Sequence, residues 1–135
     1  MNIVGISINH KTASIELREL VHLNEDEITE LIKRLKEKYF DEGFVISTCN
    51  RTEIFGFPKS EAIDANIIYS ELINLKSVAG ITYDHFQKFF SCSAVKHILE
   101  VAAGIDSQIL GDSQILAQVK SAFTTSEDLN FTSTI

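Results

Sequence analysis

Hydrophobic and polar positions along the chain predict alternating strands and helices. Residues 2–9 predict a strand, because β-branched residues alternate there with polar ones. Residues 44–46 are a short apolar run that predicts a buried strand, after a turn at 41–43. Residues 53–57 predict the next strand, and a fourth is expected near residues 88–91.

Helices are predicted where apolar residues recur every three or four positions. Ser14 caps a short helix over 15–21, and Asn24 caps a longer one that runs to about residue 39. Glu27 stands three residues after Asn24, which is the spacing of a capping box. A third long helix is predicted to begin at residues 59–60.

Two more helices are predicted in the last third of the chain. Ser93 caps the first, which runs through residue 103 and ends at Gly104. Asp112 or Ser113 caps the second. Residues 124–135 are polar and rich in Ser and Thr, which indicates a frayed terminus or a cut inside a longer protein.

The order of these elements predicts the fold class. It is β-α-β-β-α-β followed by helices, which is the split βαβ, ferredoxin-like order. The chain has 135 residues, the size of one domain, and no internal repeat. We therefore expect a single α+β domain, a ferredoxin-like βαββαβ sandwich with additional C-terminal helices, over residues 1–135.

Composition narrows the functional classes. Hydrophobic residues make up 44% and charged residues 23%, as in soluble globular proteins, and no apolar run is long enough for a membrane span or a signal peptide. The two cysteines are too far apart for a paired redox or zinc motif, so we expect free thiols, a cytoplasmic location and no metal. The net charge of −7 argues against binding nucleic acid chiefly by charge.

A run of polar and reactive side chains joins the second and third predicted strands. Residues 47–53 contain no glycine, although tight turns between strands favour it. The run sets the Cys49 thiol beside the Arg51 guanidinium, and a nearby cation raises the thiolate fraction of a cysteine. Thr48 and Asn50 can donate hydrogen bonds to a substrate. The alternatives are an inert core cysteine and a surface ion pair between Arg51 and Glu53.

Other titratable residues are weaker candidates. Cys92 has apolar neighbours on one side and a predicted helix cap on the other, which favours a packed thiol. His97 flanks the apolar stripe of its helix, where it can reach the rim of a pocket as a general acid or base, or can be structural. His10 follows the first strand in a loop, and solvation is the simpler reading. The remaining two histidines, His22 and His85, are given no role.

A second polar segment surrounds the predicted start of the last helix. Its hydroxyl and amide side chains are those of Ser107, Ser113, Gln114 and Gln118. Backbone N–H groups at a helix start can hold an anion or a polar ligand, whereas the simpler reading is a capped helix with a solvated face. The spacing of Gly104 and Gly111 fits neither phosphate-binding glycine motif.

Three stretches together resemble the glutamyl-tRNA reductases. They are Gly5-Ile6-Ser7-Ile8-Asn9-His10-Lys11-Thr12-Ala13 with Glu16-Leu17-Arg18-Glu19, then Ser47-Thr48-Cys49-Asn50-Arg51-Thr52-Glu53-Ile54, then residues 104–120. The resemblance implies NADPH-dependent reduction of glutamyl-tRNA to glutamate-1-semialdehyde for tetrapyrrole (porphyrin and haem) biosynthesis. It also implies a homodimer that hands its product to the next enzyme of the pathway.

The resemblance also assigns roles to residues. Cys49 is the nucleophile that forms a thioester, and His97 matches a histidine important for activity. The substrate-binding positions it implies are Thr48, Asn50, Arg51, Ser107, Asp112, Ser113, Gln114 and Gln118. The family usually has Gly-Glu-Pro-Gln where this chain has Gly111-Asp112-Ser113-Gln114, and commonly Tyr at Phe55.

No glycine fingerprint follows Lys120, so we expect the NADPH-binding and dimerisation domains of the family to be absent from this chain. Residues 1–135 are then the catalytic, glutamyl-tRNA-binding domain, at most a glutamyl-tRNA esterase by itself. Two other functions stay open on the residues alone. One is a Cys49/His97 hydrolase of a small ester or amide, and the other is a non-catalytic ferredoxin-like module that binds a small acid.

Overall fold

A computed structural model describes residues 2–104 and 113–132, without the side chains of residues 113–115. Within these residues four strands form one antiparallel sheet: β1 (Val4–Ile8), β2 (Phe40–Ser47), β3 (Thr52–Pro58) and β4 (Gln87–Phe90). The strand order is β2-β3-β1-β4. Because β1 and β2 both run antiparallel to β3, they are parallel to each other with β3 between them.

Five α-helices accompany the sheet in the described part of the chain. They are α1 (Ile15–Leu20), α2 (Glu25–Lys38), α3 (Ala65–Lys76), α4 (Cys92–Ala102) and α5 (Ser113–Asp128), with one 3-10 turn at Tyr83–His85. The predicted caps of α1 and α2 are confirmed. The Ser14 side chain accepts from the Leu17 N–H, and Asn24 and Glu27 form the reciprocal bonds of a capping box.

The sheet has an apolar cluster on each face. On one face, alternate residues of β1 (Val4, Ile6 and Ile8) pack with buried residues of α2 and α3, among them Leu31 and Leu72. On the other face, Phe55 and Ala94 anchor a smaller cluster beneath α4. Because both faces are covered, all five residues of β1 are buried. The sheet order and the two covered faces give a mixed α/β domain with an antiparallel sheet.

The turn predicted at residues 41–43 is wrong, because β2 begins at Phe40 and pairs through this stretch with β3. Gly43 is opposite Gly56, and its N–H donates to the Phe131 carbonyl oxygen at 2.8 Å. A Cβ at Gly43 would lie 2.2 Å from the Phe55 carbonyl oxygen, so only glycine fits there. The pairing of β2 with both β3 and Phe131 therefore overrides the local turn signal.

The prediction of a frayed C-terminus is also wrong for the residues up to 132. Helix α5 continues to Asp128, and the side chain of Phe131 is fully buried in the larger apolar cluster. The Lys36 ammonium group donates to the Leu129 carbonyl oxygen at 3.2 Å. The prediction rested on the mostly polar composition of the segment and overlooked its one aromatic residue, Phe131, which packs into the core.

Two helix starts differ from those predicted. Helix α3 begins at Ala65, where the Asp64 carboxylate accepts from the Asn66 N–H, and not at residues 59–60. Helix α4 begins at Cys92 after Ser91, which has a φ of 51°, while the Ser93 hydroxyl bonds back to the Phe90 N–H and carbonyl. The predicted end of α4 is confirmed, since Gly104 follows it with a φ of 78°.

Candidate functional site

The turn between β2 and β3 presents the Cys49 thiol. The Thr48 N–H donates to the Arg51 carbonyl oxygen at 2.8 Å and closes the turn. The Thr48 hydroxyl oxygen accepts from the backbone N–H groups of Asn50 and Arg51, at 3.1 and 3.2 Å. No residue of this turn has a positive φ, so the threonine side chain supplies the closure that glycine gives other turns. Cys49 and Asn50 are exposed at its tip.

Two side chains from the α1 region hold this turn from outside. The Arg18 guanidinium donates from Nη1 to the Asn50 carbonyl oxygen at 3.1 Å. The ring of His22 lies with Nδ1 3.0 Å from the Thr48 carbonyl oxygen. The carbonyl groups on either side of Cys49 are thus both fixed. A thiol at such a tip is accessible to a large substrate and is held on a defined backbone.

Arg51 points away from the tip, into the protein. Its side chain is 2% exposed, and Nη1 lies 2.7 Å from Glu53 Oε2. The surface ion pair considered from the sequence is therefore a buried one. A buried pair is weak evidence for net stability, but removing one partner leaves an uncompensated charge.

Glu53 collects three hydrogen bonds on one carboxylate oxygen. Its Oε2 accepts from Ser7 Oγ at 2.6 Å, from Arg51 Nη1 at 2.7 Å and from His97 Nε2 at 2.9 Å. Because an ionised carboxylate only accepts, His97 Nε2 carries a hydrogen. Glu53 Oε1 is buried with no hydrogen-bond partner among the described residues. We name these four residues the Glu53 cluster.

Sequence reasoning missed the Glu53 cluster as a unit. The Asn9 amide extends it by donating to Ser7 Oγ and to Gln87 Oε1, both at 2.8 Å. Ser7 pairs with Glu53 across β1 and β3, and with Gln87 across β1 and β4. The available signal was the strand register, since residues directly opposite on neighbouring strands face the same side of a sheet.

His97 is buried, not at the rim of a pocket. Its ring stacks on Phe89 with centroids 4.1 Å apart, and only 6% of the residue is exposed. It shares the buried side of α4 with Ala94 and Val101. A chain of hydrogen bonds through Glu53 and Arg51 connects His97 to the Cys49 turn.

The prediction for Cys92 is wrong. The Cys92 thiol is exposed, because the first residue of α4 lies on the solvent side of a helix that buries Ala94 and His97. The described cysteines are thus two exposed free thiols, Cys49 and Cys92. This gives labelling experiments an internal comparison.

The structure brings only part of the second polar segment to the turn. Gln118 is exposed on α5 and lines a cleft of about 390 Å³ together with Thr48 and His22. Ser107 and Asp112 lie outside the described residues. Ser113 and Gln114 belong to α5, but their side chains are likewise outside the description. The described residues contain no group of three or more side chains able to hold a metal ion, and no helix long and apolar enough to cross a bilayer.

Fold and site together define a mixed α/β domain that displays one thiol at a tightly fixed turn above a buried ionic cluster. The family described as "Glutamyl-tRNAGlu reductase, N-terminal domain" matches residues 6–135. The chain belongs to this family.

Individual relatives agree with this assignment. The chain is 41% identical over 125 residues to the glutamyl-tRNA reductase of Chlorobium phaeobacteroides (strain BS1), an alignment that covers 91% of the chain and 29% of that relative. It is 41% identical over 135 residues to the enzyme of Shewanella denitrificans, covering 98% of the chain and 31% of the relative. The chain therefore spans about three tenths of the length of these relatives.

A solved structure has the same fold. The glutamyl-tRNA reductase from Methanopyrus kandleri matches with a TM-score of 0.73 at 25% sequence identity, over 97% of this chain and 29% of that one. Of the α+β fold expected from the element order, the combination of helices with a four-stranded antiparallel sheet is thus confirmed.

Proposed function

We propose that this chain is the catalytic, glutamyl-tRNA-binding domain of a glutamyl-tRNA reductase, and that Cys49 is its nucleophile. The observation that carries the proposal is the exposed Cys49 thiol on a turn whose flanking carbonyl groups are both held, by Arg18 and His22. Thiolates attack acyl carbonyl groups efficiently when the backbone that presents them is fixed in advance. Membership of the family supplies the substrate class.

The proposed step is an acyl transfer. The Cys49 thiolate attacks the ester carbonyl carbon that joins glutamate to the tRNA; a carbon–sulfur bond forms and the carbonyl π pair moves to oxygen. The oxyanion then collapses, the bond to the ribose oxygen breaks, and that oxygen leaves with a proton from solvent. The products are a Cys49 thioester and uncharged tRNA. Water can hydrolyse the thioester and regenerate the thiol, so this chain alone is at most a slow glutamyl-tRNA esterase.

For the complete enzyme we propose NADPH-dependent reduction to glutamate-1-semialdehyde, in the cytoplasm, for porphyrin and haem synthesis. The described residues do not fit a dinucleotide: the connection from β1 to α1, residues 9–14, contains no glycine, and the fingerprint for a pyrophosphate needs three. A homodimer and transfer of the product to the next enzyme belong to the same proposal.

Substrate contacts are proposed from exposure and from the family pattern. Asn50 is exposed beside Cys49, and Thr48 shares its cleft with Gln118, so these side chains can meet the glutamyl group and the end of the tRNA. For Arg51 we propose a carboxylate-binding role on the family pattern alone; in the structure its guanidinium pairs with the buried Glu53 carboxylate. Ser107, Asp112, Ser113 and Gln114 are proposed on the same pattern.

We also propose that the fold is ferredoxin-like. Support comes from β1 and β2, which run parallel while β3 lies between them; this is what splits the βαβ unit.

The rival functions are not favoured. His97 Nε2 donates to Glu53 and its ring stacks on Phe89, so a Cys49/His97 hydrolase pair is not formed in this arrangement. A small-acid-binding module explains neither the exposed thiol nor the family match.

The test is intact-protein mass spectrometry after brief mixing of this chain with glutamyl-tRNA, followed by peptide mapping. We expect one glutamyl adduct on the Cys49 peptide in the wild type and in Cys92→Ser, and none in Cys49→Ser. An adduct that maps to Cys92, or that persists in Cys49→Ser, would overturn the assignment. Folded protein with neither an adduct nor released glutamate would also contradict it.

A further inference from the structure

The Thr48 carbonyl group does not make the hydrogen bond that a closed two-residue hairpin gives it. In such a hairpin the Arg51 N–H would donate to the Thr48 carbonyl oxygen. Here that N–H donates to Thr48 Oγ1 at 3.2 Å, and the carbonyl oxygen lies 3.0 Å from His22 Nδ1. Since a carbonyl only accepts, His22 Nδ1 carries the hydrogen.

This bond sets the direction of the next amide. The described chain contains no cis peptide, so the Thr48 C=O and the Cys49 N–H point to opposite sides of one plane. With the carbonyl directed at His22, the Cys49 N–H is directed away from it. No described residue accepts a hydrogen bond from this N–H, and Cys49 is exposed. A donor on the nucleophile's own residue is therefore presented to the solution.

His22 is itself held firmly. Lys76 Nζ donates to the His22 carbonyl oxygen at 2.7 Å and to Glu27 Oε2 at 2.8 Å. The N–H of the following residue, Leu23, donates to Ser47 Oγ at 2.9 Å. Helices α2 and α3 and strand β2 thus fix the backbone from which the imidazole reaches the turn.

We propose that His22 is a positioning residue that orients the Cys49 N–H as a hydrogen-bond donor to the oxyanion formed when Cys49 is acylated. The proposal rests on Cys49 as the nucleophile and extends it to a residue outside the motif. It requires no contact between His22 and the substrate. Removing an oxyanion donor slows acyl transfer by about 10²–10³-fold, and misdirecting one is a smaller defect, so we expect about tenfold for loss of His22.

The test compares two reactions of the same thiol, in a Cys92→Ser background so that only Cys49 reports. p-Nitrophenyl acetate acylates the sulfur through an oxyanion and releases p-nitrophenolate. Iodoacetamide alkylates the sulfur by displacing iodide, without an oxyanion. We expect His22→Phe to slow acylation about tenfold and to change alkylation less than about twofold. His22→Asn, whose amide N–H can stand in for Nδ1–H, should restore acylation.

His85→Phe is the matched control, because His85 Nδ1 bonds a different backbone group, the Thr82 N–H at 3.0 Å. It should leave the ratio of the two rates unchanged. An equal fall in both rates for His22→Phe, or no fall in either, would overturn the proposal. Glutamyl-tRNA is then used as the acyl donor, and the same loss is expected. If His22→Phe slows acylation by p-nitrophenyl acetate while the wild type forms no adduct with glutamyl-tRNA, the inference about His22 stands and the proposed substrate is wrong.

Discussion

Ser7 and Glu53 lie directly opposite each other on β1 and β3, and the Ser7 hydroxyl donates to Glu53 Oε2 at 2.6 Å. Both side chains are fully buried. The serine therefore supplies one of the hydrogen bonds that a carboxylate without access to water requires. The same oxygen also accepts from Arg51 and His97.

Replacing Ser7 with alanine should destabilise the fold by about 1–3 kcal/mol, because a buried charged acceptor loses a donor. Urea denaturation monitored by circular dichroism measures this. Ser70→Ala is the control, since Ser70 is exposed on α3 and its loss should change the free energy of unfolding by less than about 0.5 kcal/mol. Equal stabilities for the two variants would show that the Ser7 bond contributes nothing.

Glu53→Gln should be more damaging, by about 3–5 kcal/mol, because it removes the negative charge of a buried ion pair whose carboxylate oxygen also accepts from Ser7 and His97. The comparison is Glu30→Gln, which breaks an exposed i,i+4 pair with Arg34 and should cost at most about 0.5 kcal/mol. Denaturant midpoints of both variants give the difference. A Glu53→Gln protein as stable as Glu30→Gln would mean that the Arg51 charge is compensated by other groups.

Phe131→Ala should lower the free energy of unfolding by about 3–5 kcal/mol, the usual loss for a fully buried phenylalanine. Phe123 offers a matched aromatic on α5 that is 45% exposed, and its replacement by alanine should cost less than about 1 kcal/mol. Thermal and urea unfolding measure the free energy of unfolding of both variants. If Phe131→Ala unfolds like the wild type, the segment after α5 is not part of the cooperative fold.

Glu27 gives a pH-dependent prediction. The Asn24 N–H, and then the Lys76 ammonium group, lower the pKa of Glu27 from its ordinary value near 4.5. A depressed folded-state pKa means that the carboxylate stabilises the fold above pH 4.5, and that this contribution is lost as pH falls through the folded pKa.

Glu27→Gln should therefore be less stable than the wild type at pH 7 by less than about 1 kcal/mol, since the pair with Lys76 is partly exposed. The difference should shrink as the pH is lowered from 4.5 toward 3. Urea unfolding at both pH values measures the gap, with Glu61→Gln, an exposed change, as reference. A stability difference that is the same at pH 3 and pH 7 would mean that it does not arise from the charge of Glu27.

The sequence predicted features that are decided locally. The capping box of Asn24 and Glu27 lies within four consecutive residues, and the four strands were predicted from patterns within short segments; both predictions were confirmed. The family resemblance, carried by three separate motifs, was confirmed as well. What sequence reasoning missed depends on residues that are distant in the chain.

Ser7 and Glu53 are 46 positions apart, and only the register of β1 against β3 brings them together. The burial of His97 depends on which side of α4 faces the sheet, and a residue at the flank of an apolar stripe did not settle that. Cys92 differed for the same reason: the apolar residues that precede it in the sequence suggested a packed thiol, but as the first residue of α4 it is exposed to solvent. The roles of the candidate site residues themselves stay predictions.

The bond from the Gly43 N–H to the Phe131 carbonyl oxygen has a consequence for how copies of this protein meet. Strand β2 is at one edge of the sheet, and its outward backbone groups would otherwise be a template for another strand. The segment after α5 occupies one of these groups with its own backbone and covers Gly43 with an aromatic ring. The segment that contains Phe131 thus covers part of this edge and disfavours edge-to-edge aggregation.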